Sequence, residues 1–333
     1  MNSFAYTRAN GVTHAVAERA DEPTATFIAG GTNLIDLMKE NVARPTRLID
    51  INRLPLATIT DTETDGLRLG ALATNADTAY DKKIAKNYPL LAEAILAGAS
   101  AQLRNMATDG GNLMQRTRCY YFYDLATPCN KREPGSGCSA LAGYNRIHAI
   151  LGTGTPAGEV QCIATHPSDM CVALAALEAT VRVTGPDGDR TIPFAEFHRL
   201  PGNTPQIDNT LQEGELITAI DLPANGFSKN YAYLKLRDRA SYAFALVSVA
   251  VGLELEAGNI TDARIALGGV AHKPWRRPEV EAMLRGKPAG KDVFQTVANA
   301  MLGGAQGYGH NTFKIELAKR SIVRALSQAA KLN

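Results

Sequence analysis

The stretch FIAGGTNLIDLMK, Phe27–Lys39, carries a short apolar strand into Gly30-Gly31 and then into residues with helical spacing. Glycines let a backbone approach a ligand closely, and the free N–H groups of Thr32, Asn33 and Leu34 at a helix start attract phosphate. On its own, a Gly-Gly pair before a helix is also an ordinary tight turn. It is not GxGxxG, so the dinucleotide fingerprint of a Rossmann unit is absent. Working outward, the pattern predicts strands at 4–8, 25–29 and 47–51, with helices at 11–20 and 32–40 between them. This is a small α/β unit with the Gly-Gly junction at its centre.

A second unit begins near Leu56 with two strands around an acidic turn, ending at Gly70-Ala71. A helix is predicted over 88–99, with Pro89 in its first turn. TDGGNL, Thr108–Leu113, is a second Gly-Gly turn followed by a polar residue and leucine. Two such turns suit a ligand with a pyrophosphate and a further polar region. Ser168 or Asp169 is placed to cap a helix, a hairpin turns at 185–188, and a strand at 215–221 closes the region. LPANGFSKN then reads as a linker. Strands at 231–237, 244–255 and 260–268, followed by helices near 279–284, 291–302 and 312–329, predict an α+β C-terminal domain.

The chain has 333 residues, which favours two domains, and 45% hydrophobic residues, enough for two cores. A formal net charge of +2 gives no reason to expect nucleic acid as a partner. The most apolar run, Phe244–Leu255, is about half the ~20 residues a membrane helix needs, so no membrane insertion is expected. The N-terminus lacks the basic start and apolar core of a signal peptide. No catalytic triad, zinc-hydrolase pair or carboxylate dyad stands out.

AGGTNL, GALAT (Gly70–Thr74), TDGGNL and HPSD (His166–Asp169), in that order, resemble the FAD-binding subunits of the xanthine dehydrogenase family. YLKLRDRASYAFALVSVAVGLEL and RIALGGVAHKPWR resemble the CO dehydrogenase flavoprotein C-terminal domain, so the resemblance covers essentially the whole chain. It implies an α+β fold: a two-part FAD-binding domain of the vanillyl-alcohol oxidase/CO dehydrogenase flavoprotein type over 1–223, divided near residue 55. An α+β C-terminal domain with an antiparallel sheet and helices would follow over 228–330. The resemblance also implies roles. Ala29, Gly30, Gly31, Thr32, Asn33 and Leu34 would wrap the pyrophosphate, Phe27 and Ile28 would also contact the cofactor, and Thr74 would lie near the flavin or its phosphates. Thr108, Gly111 and Asn112 would border the isoalloxazine and ribityl chain. Asp169 would hydrogen-bond the adenosine or ribityl part, Leu216 would pack against the cofactor, and Lys235 would reach the flavin. Taken alone, Asp169 is equally a helix cap, Leu216 core and Lys235 a solvated strand residue. Tyr242 is placed to shield a flavin face or to serve as an ordinary packed aromatic.

Cys119, Cys129, Cys138 and Cys162 fall in an insertion at about 115–162, spaced C-x9-C-x8-C-x23-C. Soft sulfur ligands suit an iron–sulfur cluster or zinc, and free thiols or disulfides also fit so loose a spacing. Flavoproteins of the 4-hydroxybenzoyl-CoA reductase and periplasmic aldehyde oxidoreductase types carry such an insertion, and the resemblance is nearer the second. It implies a [4Fe–4S] cluster held by those four cysteines. Cys171, on an apolar helix, reads as core.

The resemblance further implies partners in a heterotrimer: a molybdopterin-binding large subunit and a small subunit with [2Fe–2S] clusters. This chain would pass electrons from iron–sulfur clusters to FAD and on to an external acceptor. Two alternatives remain open. One is a self-sufficient FAD oxidoreductase, for which His166 is the best-placed acid or base; the other is a metal-stapled interaction subunit without FAD. The resemblance suggests a periplasmic location by co-export with a signal-bearing partner, and the missing leader suggests the cytoplasm.

Overall fold

The computed structural model describes residues 1–155 and 157–332. Three parallel strands open the chain: β1 (Ala5–Arg8), β2 (Ala25–Ile28) and β3 (Arg47–Asp50), in the order β1-β3-β2. Parallel pairing needs crossovers, and the helices Val12–Asp21 and Leu34–Lys39 supply them. Ala15 and Val16 of the first helix bury against Ala25 and Ile49.

Five antiparallel strands form the second sheet: β4 (Ile59–Asp61), β5 (Leu67–Gly70), β6 (Thr180–Gly185), β7 (Gly188–Pro193) and β8 (Leu216–Leu222). Their order is β4-β5-β8-β6-β7, so β8 returns between β5 and β6. The excursion from β5 to β6 carries the second glycine segment, Asp169 and the four cysteines. Its helix Asp169–Ala176 is buried throughout, and Pro89–Ala97 buries six of its nine residues, most of them in the main core. The cysteine-bearing segment contains two single-turn helices, Tyr120–Tyr123 and Ser139–Ala142, and is otherwise irregular.

The third sheet is antiparallel, in the order β12-β11-β10-β9, from β9 (Tyr231–Leu236), β10 (Val247–Glu256), β11 (Asn259–Gly268) and β12 (Trp275–Arg276). Alternation along β10 explains its unbroken apolar run. Val247, Val249, Val251 and Leu253 join the core under the helices Lys291–Met301 and Phe313–Ala329. Ala250 on the opposite face joins the N-terminal core instead. A sheet covered on both faces cannot show polar alternation.

Two local expectations differ from what the chain adopts. TDGGNL is the first turn of a helix, Asp109–Leu113, because Thr108 Oγ1 accepts from the Gly111 N–H at 3.2 Å and caps it. Residues 244–246 lie outside β10. Tyr242 adopts a left-handed φ of +51°, and Arg239 grips its carbonyl, so the chain loops before the ladder starts.

Candidate functional site

Gly30 and Gly31 are needed for different reasons. Gly31 has a φ of +70°, a region costly for residues with a side chain. Gly30 lies against the backbone of the second glycine segment: a Cβ there would sit 2.6 Å from the Met106 carbonyl carbon and nearer still to its oxygen. The two motifs therefore meet, and a cavity of about 920 Å³ runs between them. That is at the upper end of the roughly 300–1,000 Å³ of small-molecule sites.

The cavity is lined by Phe27, Ile28, Ala29, Gly30, Gly31, Thr32, Asn33 and Leu34 on one side and by Thr108, Gly111 and Asn112 on another. Asp169, Leu216 and Lys235 complete it. Thr74 is outside this lining. It caps the helix Asn75–Tyr80, accepting from the Asp77 N–H, and pairs through its backbone with Thr108.

Beneath the wall runs a polar network. Ser168 Oγ donates to Asn112 Oδ1 at 2.5 Å, Asn112 Nδ2 to Asn75 Oδ1 at 2.7 Å, and Asn75 Nδ2 to Asp109 Oδ1 at 2.7 Å. Burial pushes the Asp109 carboxyl up to about 7, although hydrogen bonds from Thr78 and Asn75 favour its charge. Ser168, and not Asp169, caps the next helix by accepting from the Cys171 N–H. The Asp169 carboxylate instead takes Tyr233 Oη on one oxygen and Lys235 Nζ on the other, both at 2.7 Å. Lys235 also donates to the Ala97 carbonyl at 3.0 Å. Lysine and aspartate thus face the cavity as a pair.

Several arginines lining the cavity carried no local sequence signal. Arg116 and Arg118 pair with Asp208 and Asp36. The Nε donors of Arg104 and Arg118 are buried without a protein partner, which is the deficit a phosphate-bearing ligand can satisfy. With the glycine cradle, these donors fit a flavin dinucleotide. Phe244, from the loop before β10, closes the mouth with Arg118 stacked over its ring at 5.1 Å.

His166 does not face the cavity. Its ring packs on His198 with centroids 4.2 Å apart, and its Nε2 is buried without a partner. Burial holds both imidazoles neutral, His166 well below its ordinary value and His198 at about 4. Cys171 joins this pair, the three ligand atoms lying within 4.8 Å. Burial keeps its thiol at about 12, inside the main core.

Cys119, Cys129, Cys138 and Cys162 converge on a separate apolar cluster around Phe122, Ala140 and Ile163. The Ala164 N–H donates to Cys162 Sγ at 3.4 Å, and neighbouring backbone N–H groups favour the charged form of Cys119 (Phe122 and Tyr121) and of Cys138 (Ala140, Ile163 and Leu141). His148 Nε2 lies 3.0 Å from Cys119 Sγ. As thiols, burial drives Cys119 and Cys162 up to about 12. An arrangement so rich in donors suits anionic sulfur, as in metal-bound thiolate. Among the described residues, no three of these sulfurs lie within 4.8 Å of one another. A single zinc, at about 2.3 Å per sulfur, would draw them to roughly 3.8 Å. The soft donor set, spread wider than one zinc would draw it, suits a centre of more than one metal ion. Leu37, Val42 and Ala43 touch both this cluster and the cavity, so a thin layer separates the two sites.

Residues 2–225 match the FAD binding domain of molybdopterin dehydrogenases, and residues 231–329 match the CO dehydrogenase flavoprotein C-terminal domain. The chain belongs to the FAD-binding subunits of the xanthine dehydrogenase/CO dehydrogenase family and is an oxidoreductase subunit. The aldehyde oxidoreductase FAD-binding subunit PaoB of Escherichia coli is 48% identical over 330 residues, 99% of each chain. The glyceraldehyde dehydrogenase medium chain of Sulfolobus acidocaldarius is 27% identical over 98% of each chain. Among solved structures, carbon monoxide dehydrogenase from Hydrogenophaga pseudoflava, in a form lacking the Mo-pyranopterin moiety, aligns with a TM-score of 0.75. That alignment is at 28% identity and covers 98% of this chain and 97% of that one.

Proposed function

We propose that this chain is the FAD-binding electron-transfer subunit of a heterotrimeric molybdenum-containing aldehyde oxidoreductase. Its partners would be a molybdopterin-binding large subunit and a small [2Fe–2S] subunit, and it would hand electrons from iron–sulfur clusters to an external acceptor. The observation that carries this is the cavity formed where Gly30 closes on Met106, lined by both glycine motifs. Aldehyde chemistry for the complex is supported by the names of the two relatives above, an aldehyde oxidoreductase and a glyceraldehyde dehydrogenase.

FAD bound there supplies the electron chemistry, and the protein supplies binding, orientation and electrostatics. The 29–34 turn and the Arg104 and Arg118 donors would hold the phosphates. Thr108, Gly111 and Asn112 would position the ring system, and Asp169 with Lys235 would present a fixed charge pair beside it. With His166 turned away, a self-sufficient FAD enzyme loses its best-placed acid or base. That favours a subunit that relays electrons over one that turns over its own organic substrate.

Cys119, Cys129, Cys138 and Cys162 would hold a [4Fe–4S] cluster, supplying a one-electron centre close to the cavity. The convergence of the four cysteines on one buried cluster, the Ala164 N–H bonded to Cys162 Sγ and the shared Leu37 layer support this. Absorption spectra of anaerobically purified complex, with iron, zinc and acid-labile sulfide assays, test it. Flavin with about four iron and four sulfide per copy of this chain, lost on serine substitution at those positions and retained in Cys171→Ala, is the expected outcome. Flavin with zinc or with no metal would remove the cluster and leave FAD binding standing. Co-expression with a partner bearing a twin-arginine signal should deliver this chain to the periplasm; retention in the cytoplasm would overturn export.

A further inference from the structure

His166, Cys171 and His198 form a cluster that electron transfer through FAD leaves unused. One ligand atom from each lies within 4.8 Å of the other two. Cys171 is fully buried and His198 is 3% exposed. The three come from separate places: the turn before the helix Asp169–Ala176, that helix itself, and the segment just after the short helix Phe194–Phe197. His198 Nε2 lies 2.9 Å from the Leu113 carbonyl, at the end of the helix Asp109–Leu113. A carbonyl only accepts, so Nε2 carries the hydrogen and Nδ1 keeps a bare lone pair. Among the described residues nothing donates to that lone pair, and His166 Nε2 is likewise buried without a partner. Buried polar atoms are almost always satisfied, and two orphaned nitrogens beside a free thiol are the deficit that an ion fills. An imidazole whose N–H is held by a backbone carbonyl while its other nitrogen stays free has the arrangement of a metal-binding histidine.

The spacing admits a single ion. Three atoms so close share a point no more than about 2.8 Å from each, and metal bonds to nitrogen and sulfur are about 2.0–2.3 Å, so each ligand atom closes by less than about 1 Å. Charge then selects the ion. Two neutral imidazoles and one thiolate carry one negative charge, so a monovalent cation leaves the buried site neutral. A divalent cation leaves a net charge in the core, which is costly without a counter-ion. Structural zinc also takes four ligands, and this group offers three. Thiolate with imidazole suits copper(I). A way in exists: His166 lines a small cleft with Arg118 and Phe244, which also stand at the cavity.

We propose that His166, Cys171 and His198 bind one copper(I) ion, which staples three segments together beneath the wall of the FAD cavity. Binding breaks the Cys171 S–H bond and forms a sulfur–copper bond. The proton leaves to buffer, and no electron is transferred. The site is independent of what the four-cysteine segment holds.

The test is an anaerobic titration of the full chain with copper(I) against a competing copper(I) chelator, bathocuproine disulfonate. Metal content per chain and X-ray absorption at the copper edge are measured on the same samples. Copper taken up by other thiols is common to all variants, so the difference between them isolates this site. Wild type should hold one copper(I) per chain more than Cys171→Ala, with two nitrogen neighbours and one sulfur. Cys171→Ala should weaken that site by more than about 100-fold, since losing a group that merely orients a metal ligand typically costs 10–100-fold. His166→Gln should lose the same ion. Circular dichroism and FAD content report the fold of each variant, and if Cys171→Ala does not fold, His166→Gln decides. Equal copper in wild type and a folded variant overturns the proposal, as does a copper ion with sulfur neighbours alone at the site lost on substitution. Zinc(II) held there in preference to copper(I) overturns the charge argument and the choice of ion with it.

Discussion

Replacing Gly30 with alanine tests whether the close approach of the two glycine segments builds the FAD site. The new Cβ would stand 2.6 Å from the Met106 carbonyl carbon and 3.3 Å from the Ala107 nitrogen. Non-bonded carbons rest at about 3.5–4.0 Å and the Met106 oxygen lies nearer than its carbon, so the 106–107 backbone must retreat by more than about 1 Å. That backbone is pinned: the Ala107 N–H donates to the Leu103 carbonyl at 2.7 Å, and the Ala107 carbonyl accepts from the Asn75 N–H at 2.8 Å. Overpacking against a fixed backbone costs roughly 1–3 kcal/mol. If the strain falls on the bound state, FAD affinity drops by about 5- to 150-fold, since 1.4 kcal/mol is tenfold. Gly11→Ala is the control, because nothing lies within 4 Å of its Cβ. Deflavinated protein titrated with FAD, read by quenching of flavin fluorescence, gives the Kd, and thermal unfolding without FAD reports the fold. A Gly30→Ala protein with the fold intact and a Kd within about twofold of wild type, well under 1 kcal/mol, would refute the role of the approach.

Other consequences are as direct. Lys235→Met strips the cation from a buried pair and should cost about 3–5 kcal/mol of stability; adding Asp169→Asn should restore part of that in thermal melts, and a double variant worse than the single would contradict the pairing. Asp109 holds a proton in the folded state up to about pH 7, where the unfolded chain has lost it above about 4. Its contribution to stability is therefore fully present below about pH 4, falls as pH rises to about 7, and is constant above. The difference between wild type and Asp109→Asn should change by on the order of 4 kcal/mol across that window, and a flat difference would remove the buried acid. Lys314, fully buried, donates to the carbonyls of Ile147, His148 and Gly269, pinning the cysteine segment to the C-terminal sheet. Lys314→Met leaves those carbonyls without this donor and should lower stability by at least about 1–3 kcal/mol, seen as a lower Tm.

The sequence by itself determined the strands and helices, through the change from period two to period three or four, and marked both glycine segments and the four cysteines. Those signals are local: a β-branched run, a Gly-Gly pair and a thiol cluster are visible without knowing what lies opposite. Where local chemistry had two outcomes, tertiary structure chose. Ser168 caps its helix because Tyr233 and Lys235 already hold Asp169. TDGGNL becomes a helix because Thr108 caps it. Residues 244–246 leave β10 because Tyr242 turns the chain. His166 turns into the core, and Thr74 caps a helix outside the cavity lining. None of the long-range pairings was legible: Gly30 on Met106, Lys131 on Asp208, Asn33 Oδ1 on the Arg116 N–H. Each joins residues about 75 to 85 positions apart, and no periodicity along the chain encodes which distant backbone or charge a residue will meet. Two of those meetings are set when the long excursion from β5 to β6 folds back on the first sheet, and the third when it meets the connection between β7 and β8. Packing density and the need to pair buried charges then leave little freedom in where it docks.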